Sequence, residues 1–517
     1  MDSEFSLANC SSNSALNAGL MQLHAHQMGI DTYQEAVIYL RADCPLCESE
    51  GFAAQSRIEV WFQEKRIIAT LNVVDAPLLE LQQAGLSQAA WRALGAPEGG
   101  LISLQHLAPI HSFSLVRGKI FGQRLSSDAM QEIICDIAAG NYSEIEIACF
   151  VAALAGQQVD DEEVIALTRA MVGVGKRMQW PADIIVDKHC VGGLPGNRTT
   201  LIVVPILAAC GLIIPKTSSR AITSPAGTAD TMETLAPVAL DSAHMQRVVA
   251  QEGGCIVWGG AVSLSPADDM LIRVERPLGL DSEAQLVASV LSKKVAAGST
   301  HVLIDIPVGP SAKLRTEAAA NRLSSLLQLV GNALGLQLKV VFSDGREPVG
   351  RGIGPALEAY DVMAVLQNQV QAPQDLRQRA LVLAAHLLEM GHKAVLGQGY
   401  QLAEKTLQSG LAWQKFQAIC QAQGGMRTPP VAAFSTALLA PHRGRVVAVD
   451  NRRLARVAKL AGAPQVAAAG LSFLAPIGSI LQAGQPWLMI HAQSPGQLDY
   501  ARTYALGQPD LLLLQEY

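Results

Sequence analysis

Short and long apolar runs alternate through the middle of the chain, and they predict an α/β sheet. Residues 184–186 form a short β-branched run that is typical of a buried strand. A glycine-rich loop at 192–196 follows, and the continuous apolar run 201–212 predicts a buried helix. The same order begins again at 212–214 and leads to a polar-headed helix near Thr228. Loops at the carboxyl ends of strands bind ligands in open α/β sheets, so we expect a site in this region.

The regions that flank this motif have other patterns, so the 517 residues are expected to contain several domains. Alternating and β-branched runs near the N-terminus predict strands, followed by a short helical piece near residues 77–94. Helical patterns begin near residue 107, and Lys119 is interpreted as a lysine in a solvated loop. The predicted ranges are 1–105 for a β-rich N-terminal module, 106–175 and 262–297 for a helical domain, 176–261 and 298–425 for an α/β phosphate-binding domain, and 426–517 for a small α+β C-terminal module.

Composition and charge narrow the range of partners. Half of the residues are apolar and 16% are charged, which is typical of globular proteins. The formal net charge of −6 argues against general nucleic-acid binding, and the basic stretch 443–459 is interpreted as a solvated or subunit-facing surface. Apolar runs are too short to span a membrane, and the N-terminus lacks a basic head before an apolar stretch, so we expect a cytoplasmic protein. Cys44 and Cys47 lack a second ligand pair, so no metal site is expected.

Two successive strand ends carry groups that favour an anion. Lys188 precedes the first glycine loop, and glycines let an oxyanion approach the free amides of a helix start. The second strand end carries Lys216, Arg220 and the small-residue turn 224–228. An ordinary turn would explain one such loop, but two in succession favour an anion-binding site with ammonium groups around it. A third strand, 301–308, ends shortly before another lysine.

The helix that follows residue 281 offers a second kind of chemistry. Ser289 and Lys293 are four residues apart, so they share one face of this helix. Apolar neighbours surround them, so we do not expect this face to be freely solvated. Asp281 stands where it can cap the helix, and capping alone would explain its identity.

Several motifs in order resemble the thymidine phosphorylase / AMP phosphorylase family, and most closely its type 2 bacterial thymidine phosphorylase subgroup. The motifs are DKHCVGGLPGN, KTSSRAITSPAGTAD, CIVWGG, PADD, IRVERPLGLD, SVLSKK, IDIPVGPSAK and GIGPALEA. The resemblance implies a helical domain that faces a large mixed α/β domain across a cleft. It also implies phosphorolysis of an N-glycosidic bond, with inorganic phosphate as co-substrate and no cofactor. Members of the family assemble as homodimers or larger homo-oligomers.

The resemblance also implies roles for individual residues. Asp281 is expected to be the proton donor, and His189 to act beside the base. The arginine on the base corresponds to Arg276 or, alternatively, Arg273. The residues expected to hold phosphate are Lys188, Gly193, Ser218 and Thr228. The residues expected around the base or nucleoside are Ser219, Arg220, Thr223, Ser224, Arg276, Ser289, Lys293 and Lys313.

Departures from the family pattern leave the substrate open. Cys190 stands where the family usually has serine, and a thiol is a weaker hydrogen-bond partner for phosphate. The first hypothesis is phosphorolysis of thymidine or a related nucleoside. The alternative is phosphorolysis of AMP or another nucleotide, whose 5′-phosphate would use Arg198, Arg220 or Lys313. Magnesium-dependent phosphoribosyl transfer and a catalytically silent binding protein are further rivals, and the lysine-rich loops argue against the first of these.

Overall fold

The computed structural model describes residues 22–33, 35–75, 78–156, 159–221, 224–262, 264–280 and 282–516. The described residues up to Ser114, together with Ala139–Glu146, form one compact unit. Leu115–Ala138 and the described residues from Ile147 onward form the second unit. No helix in these ranges combines the length and the apolar character that are needed to cross a bilayer. The sequence-based domain ranges stay predictions.

The first unit contains a closed barrel whose strands run in the order β1-β5-β2-β4-β3-β6. Its elements are β1 (Gln22–Gln27), β2 (Val37–Arg41), α1 (Pro45–Glu50), β3 (Arg57–Phe62), β4 (Lys65–Val74), β5 (Gln83–Leu86), α2 (Gln88–Leu94) and β6 (Leu101–His106). Side chains along β1, β3 and β6 alternate between buried and less buried positions, whereas β2, β4 and β5 contain runs of consecutive buried residues. The helical prediction for residues 77–94 is wrong at 83–86, because this short segment pairs with β1 and β2 to close the barrel.

Four helices begin the helical region: α3 (Ser112–Ile120), α4 (Ser127–Ala138), α5 (Glu144–Ala155) and α6 (Asp161–Gly173). A capping box starts α6, in which Asp160 and Glu163 satisfy each other's backbone amides. Glu163 also accepts hydrogen bonds from Lys119 Nζ at 2.7 Å on both carboxylate oxygens. The interpretation of Lys119 as a solvated loop residue is therefore wrong: this lysine lies in α3 and is only 4% exposed.

Five parallel strands form the α/β sheet. They are β7 (Val186–Cys190), β8 (Ile214–Ser218), β9 (Gly254–Trp258), β10 (His301–Val308) and β11 (Gln337–Asp344). The order β11-β10-β7 continues to β8-β9 through a single bridge between Ile185 and Ile213. The first strand begins later than the apolar run 184–186 predicted, so Asp187 and Lys188 lie within β7. This register brings charged side chains into the interior of the sheet.

Helices pack around this sheet. They are α7 (Thr200–Ala209), α8 (Thr228–Glu233), α9 (Ser242–Glu252), α10 (Gly259–Val262), α11 (Pro266–Leu278), α12 (Glu283–Ala296), α13 (Glu317–Ala333), α14 (Pro355–Leu366), α15 (Gln374–Met390), α16 (Gly399–Gln408) and α17 (Leu411–Ala422). Helix α7 is apolar on every face because it lies inside the main core, which explains the continuous run in the sequence. Ser282, whose Oγ accepts a hydrogen bond from the Gln285 amide at 3.2 Å, is the N-cap of α12. Asp281, for which the sequence predicted a capping role, lies outside the described residues, so that role stays a prediction.

The C-terminal region has two antiparallel sheets, in the orders β12-β15-β17-β13 and β16-β14-β18. Its elements are β12 (Gly352–Ile353), β13 (Phe434–Leu439), β14 (Gly444–Val449), α18 (Asn451–Leu460), β15 (Gly470–Phe473), β16 (Ile480–Leu481), β17 (Pro486–Ala492), α19 (Pro495–Leu506), a 3-10 turn (Pro509–Leu511) and β18 (Leu512–Glu516). Strand β12 precedes α14 in the chain, so the α/β region supplies an edge strand to a C-terminal sheet. This pairing holds α18 beside the loops that follow β10 and β11, where Asn451 donates to the Gly345 carbonyl at 3.0 Å.

Candidate active site

A cavity of about 670 Å³ lies in the second unit, at the carboxyl ends of the parallel strands. Loops after β7, β8 and β9 line one side of it, and α11 and α12 line the other. The sequence-predicted site residues that line this cavity are Lys188, His189, Gly193, Ser218, Ser219, Arg220, Ser224, Thr228, Ser289, Lys293 and Lys313. Segments up to 125 residues apart in the chain, such as those of Lys188 and Lys313, therefore meet at one place. Asp281, Thr223 and the side chain of Arg276 lie outside the described part of the chain.

Lys188 reaches the cavity from inside β7. Only 1% of this residue is exposed, and its Nζ donates to Thr199 Oγ1 at 2.7 Å, just before α7 begins. Burial lowers the pKa of the Lys188 ammonium, because the charged form has lost its water. An anion in the cavity would stabilise the charged form again.

Asp187 is the acidic centre of a buried cluster of lysines. Its carboxylate is fully buried and accepts from Lys294 Nζ at 2.7 Å, while Lys216 Nζ lies 3.6 Å away. Its other close donor is the Lys188 amide, at 2.7 Å. Burial alone would raise the pKa of Asp187, but the two lysines outweigh burial and lower it. The cluster therefore joins β7, β8 and α12 through one carboxylate.

Positive charge exceeds negative charge in this cluster. Burial lowers the pKa of Lys216 to about 7, and the nearby ammonium of Lys294 adds to the effect, although Asp187 opposes it. The pKa of His189 falls well below its usual value, first because the ring is buried and then because four lysines lie near it. His189 is therefore a neutral imidazole at neutral pH, and it can act beside a base as a hydrogen-bond partner rather than as a cation.

Hydroxyl groups complete the strand side of the cavity. Ser218 ends β8 and is 9% exposed, and its Oγ has no hydrogen-bond partner among the described residues. Thr228 Oγ1 accepts a hydrogen bond from Arg198 Nη1 at 3.1 Å. Arg198 is itself paired with the buried carboxylate of Glu358 and donates to the Ala226 carbonyl at 2.8 Å. Arg198 therefore positions the turn that carries Thr228.

The glycine loop after β7 depends on close packing of backbone against backbone. Gly193 has φ +82°, and a Cβ there would lie 2.4 Å from the backbone nitrogen of Lys313. Gly196 has φ +74°, and a Cβ there would lie 2.3 Å from the Val349 carbonyl oxygen. Glycines in this loop were expected to allow the approach of an anion, and Gly193 and Gly196 are also needed to fit the loop against its neighbours.

Cys190, at the end of β7, remains a thiol. Burial raises its pKa to about 12, and its sulfur accepts a hydrogen bond from Asn197 Nδ2 at 3.3 Å. The side chain therefore stays neutral at the pH values at which enzymes usually work.

The helical side of the cavity presents Ser289 and Lys293 from one face of α12, as the spacing predicted. Lys293 forms an ion pair with Asp268 of α11. Burial alone would lower the pKa of Lys293, but Asp268 outweighs burial and the pKa is raised. This lysine keeps its charge, whereas the next residue, Lys294, points to Asp187 on the opposite side.

Matches with known proteins agree with this architecture. Residues 114–175 match "Glycosyl transferase family, helical bundle domain", and residues 182–413 match "Glycosyl transferase family, a/b domain". A protein of Polaromonas sp. (strain JS666 / ATCC BAA-500), named "Putative thymidine phosphorylase", is 58% identical over 96% of this chain and 97% of its own length. A Legionella pneumophila protein of the same name is 54% identical over 96% of both chains. The chain belongs to the thymidine phosphorylase family.

Solved structures support the fold of this thymidine phosphorylase family member. Anthranilate phosphoribosyltransferase from Thermus thermophilus aligns with a TM-score of 0.50 and 19% identity, over 60% of this chain and 98% of that chain. The enzyme from Saccharomyces cerevisiae aligns with a TM-score of 0.50 and 14% identity, over 62% and 99%. The predicted fold class is confirmed: a helical-bundle domain is combined with a glycosyltransferase α/β domain. The family identifies the chain as an enzyme that transfers a glycosyl group.

The guanidinium of Arg220 is already bound by carboxylates of the protein. Its guanidinium forms hydrogen bonds of 2.5 and 2.9 Å with Glu233 and one of 3.3 Å with Asp230. It also lies 4.9 Å from the ring centroid of Trp258, which itself lines the cavity. These contacts satisfy most of the donors of the guanidinium, so Arg220 stabilises the loop after β8.

The contribution of α18 to this cavity was not predicted from the sequence. Asn451 and Arg452 line the cavity, and Arg452 Nη2 donates to the Ala312 carbonyl at 3.3 Å. Arg452, in the basic stretch 443–459 that was interpreted as a solvated or subunit-facing surface, is exposed and also lines the cavity. No sequence signal distinguished this arginine from Arg453, which pairs with Asp510. Arg273 is absent from the described lining residues, so the arginine predicted on the base is not assigned.

Proposed function

We propose that this protein catalyses phosphorolysis of thymidine, releasing thymine and 2-deoxyribose 1-phosphate. The observation that carries the proposal is the two-sided cavity. Buried Lys188 and the Ser218 hydroxyl, which has no hydrogen-bond partner in the described part of the chain, stand on the strand side. Ser289 and charged Lys293 stand on the helical side. Relatives named for thymidine phosphorylase, 54–58% identical to this chain, support the same substrate class.

The chemistry requires an oxygen of phosphate to form a bond to C1′ while the bond from C1′ to the base nitrogen breaks. The electron pair of that bond leaves with the base, which must be stabilised or protonated. Lys188 and Ser218 would hold the attacking dianion, and Ser289, Lys293 and neutral His189 would hold the leaving base. Fixed charges and hydrogen bonds can supply most of the rate increase without a cofactor. We assign proton donation to Asp281 by resemblance alone.

A second candidate is phosphorolysis of a nucleoside 5′-monophosphate. Arg452 and Lys313 line the same cavity and would suit an additional phosphate group. Arg198 and Arg220, which the sequence also nominated, are engaged with Glu358 and Glu233. The proposal for nucleotides therefore depends on Lys313 and Arg452.

A substrate panel tests both candidates. Purified protein is incubated with thymidine, uridine, AMP or CMP, with and without inorganic phosphate, and the released base is measured by chromatography. The proposed function predicts phosphate-dependent release of thymine, without added metal and in the presence of EDTA. If base is released only from AMP or CMP, the substrate is a nucleoside 5′-monophosphate and the proposal for thymidine is wrong. Release that needs no phosphate would indicate hydrolysis and would contradict both.

The assembly and location of the protein are proposals as well. We propose a cytoplasmic homodimer or larger homo-oligomer, which binds no nucleic acid. Sedimentation velocity at micromolar concentration should give a mass of at least twice 54.8 kDa. A single species of monomer mass would contradict the proposed assembly and leave the proposed reaction intact.

A further inference from the structure

Lys216 has the longer of the two ion pairs that lysines form with Asp187. Its Nζ lies 3.6 Å from Asp187 Oδ1, whereas Lys294 holds the other oxygen at 2.7 Å. The Lys216 side chain also contacts the carbonyl of its neighbour Thr217 and the side chain of Lys294. One carboxylate therefore serves two buried ammonium groups and does not fully compensate both.

Lys216 and Ser218 occupy alternate positions of β8, so they project from the same face of the strand. Both line the cavity, and the Ser218 hydroxyl has no hydrogen-bond partner among the described residues. A buried hydroxyl without a partner is costly, and so is a buried ammonium with half a counter-ion. One dianion between them would satisfy both groups.

We propose that Lys216 binds the attacking phosphate together with Ser218, and that a proton is taken up from solution onto Lys216 Nζ when the dianion binds. This inference deepens the proposed function and rests on it for the identity of the anion. Asp187 then acts as a positioning residue: it holds Lys216 close to the site while the site is empty. The step forms one N–H bond at Lys216 Nζ with a proton from solvent, and no other covalent bond changes.

The charge state of Lys216 makes the proposal measurable. Its pKa of about 7 means that the lysine is mostly neutral in the empty site at pH 8. The titratable groups near Lys216 are Asp187, Lys188 and His189 of β7, Lys294 of α12 and Cys255 of β9. Any of these groups that changes its protonation would contribute to the same signal, so the test must separate Lys216 from them.

The experiment is isothermal titration calorimetry with sulfate at pH 8.0 in buffers of different ionisation enthalpy. Sulfate keeps two negative charges at this pH, so every proton taken up belongs to the protein. The expected uptake is about 0.9 proton per site, because a group with a pKa of about 7 is about one-tenth protonated at pH 8. Lys216→Met should reduce this uptake to nearly zero, and the exposed control Lys405→Met should keep the wild-type value. An unchanged uptake in Lys216→Met would assign the proton to Lys188 or His189 and overturn the proposal.

A second measurement needs no variant, in case Lys216→Met fails to fold. The dissociation constant of wild-type protein for sulfate should increase about eightfold between pH 7.5 and pH 8.5, because the protonated fraction of a group with a pKa of about 7 decreases by that factor. A dissociation constant that stays constant over this range would overturn the proposal. Lys216→Gln serves as a second variant of similar length.

Kinetics separate this proposal from the proposed function. Lys216→Met should raise the KM for phosphate about tenfold and leave the KM for the nucleoside unchanged. If proton uptake depends on Lys216 but no nucleoside or nucleotide releases base, the anion site stands and the proposed reaction fails. If base is released and the uptake is independent of Lys216, the reaction stands and this inference fails.

Discussion

The second unit buries lysines in two places, and the number of carboxylates beside them differs. In the helical region, Lys119 meets both oxygens of Glu163 at 2.7 Å, and both side chains are at most 2% exposed. Beside the cavity, Lys216 and Lys294 share the single carboxylate of Asp187. Charge is balanced in the first place and positive charge is in excess in the second.

This difference separates a structural ion pair from a ligand site. Glu163 accepts further hydrogen bonds from the Leu125 and Asp160 amides, so it links α6 to the preceding loops, and it is not among the lining residues of the 670 Å³ cavity. The cluster around Asp187 lies beside a cavity lined by Ser218, whose hydroxyl has no partner within the ranges that the structure describes. A buried lysine that shares its counter-ion carries its full charge only when an anion arrives, so the same residue type stabilises the fold in one place and prepares a site in the other.

Glu163→Gln should have the largest effect, and the effect should be on stability alone. Removing one partner of a buried pair leaves an uncompensated ammonium, which costs about 3–5 kcal/mol of unfolding free energy. Chemical denaturation measures this loss. Glu162→Gln is the matched control, because the next side chain of α6 is 78% exposed and its ion pair with Arg124 is solvated. The kcat of the folded fraction should be unchanged in both variants. A lower kcat in Glu163→Gln would show that the Lys119–Glu163 pair is not purely structural.

Lys188→Ala should have the next largest effect, and it should act on phosphate. Removal of one preorganised donor from a site of developing charge typically costs a factor of about 100–1000 in rate. We expect kcat/KM for phosphate to fall within that range, while the far-ultraviolet circular dichroism spectrum stays unchanged. Lys405→Ala, on the exposed face of α16, is the control. A kcat/KM for phosphate near the wild-type value in Lys188→Ala would show that Lys188 does not bind phosphate.

Lys293→Met and Lys294→Met test whether neighbouring lysines of α12 serve opposite sides of the cavity. Lys293→Met should raise the KM for the nucleoside about 10- to 100-fold, because a hydrogen bond to a charged group is worth about 1.5–3 kcal/mol. Its KM for phosphate should stay within about twofold of wild type. Lys294→Met should raise the KM for phosphate and leave the KM for the nucleoside nearly unchanged. The reason is that its ammonium holds Asp187, in the cluster beside the proposed phosphate site, at 2.7 Å. If both variants raised the KM for the nucleoside and the KM for phosphate by the same factor, the assignment of Lys293 to the nucleoside and of Lys294 to the phosphate would be contradicted.

Much of the site could be predicted from the sequence, because strand ends and glycine loops have local signatures. Lys188, Ser218 and Thr228 follow apolar runs of strand or helix length, and Ser289 and Lys293 have helical spacing. The family resemblance added site residues, such as Gly193, Ser219 and Ser224, whose spacing alone does not indicate a role in binding. The fold class, the family and the enzyme class are confirmed, and the individual residue roles stay predictions.

What the sequence could not give are the contacts between segments that are distant in the chain. The pairing of Asp187 with Lys294 spans 107 residues, and that of Lys119 with Glu163 spans 44. A buried lysine has the same local sequence as a solvated one until its partner is known, and this explains the wrong interpretation of Lys119. Arg452 was missed for a related reason: β12 pairs with β15, which brings the C-terminal region to the cavity.

Arg452→Ala should have the smallest effect, and the effect should depend on the substrate. This arginine is exposed and donates one hydrogen bond of 3.3 Å to the Ala312 carbonyl, so its loss should leave the fold intact. We expect kcat/KM for thymidine to change by less than about twofold. For a nucleoside 5′-monophosphate, loss of one charge-assisted hydrogen bond should lower kcat/KM about tenfold, which corresponds to about 1.4 kcal/mol. Arg453→Ala, whose side chain pairs with Asp510 instead, is the control for both substrates. Equal losses in the two variants would mean that Arg452 does not contact the substrate, and the case for nucleotides would then depend on Lys313 alone.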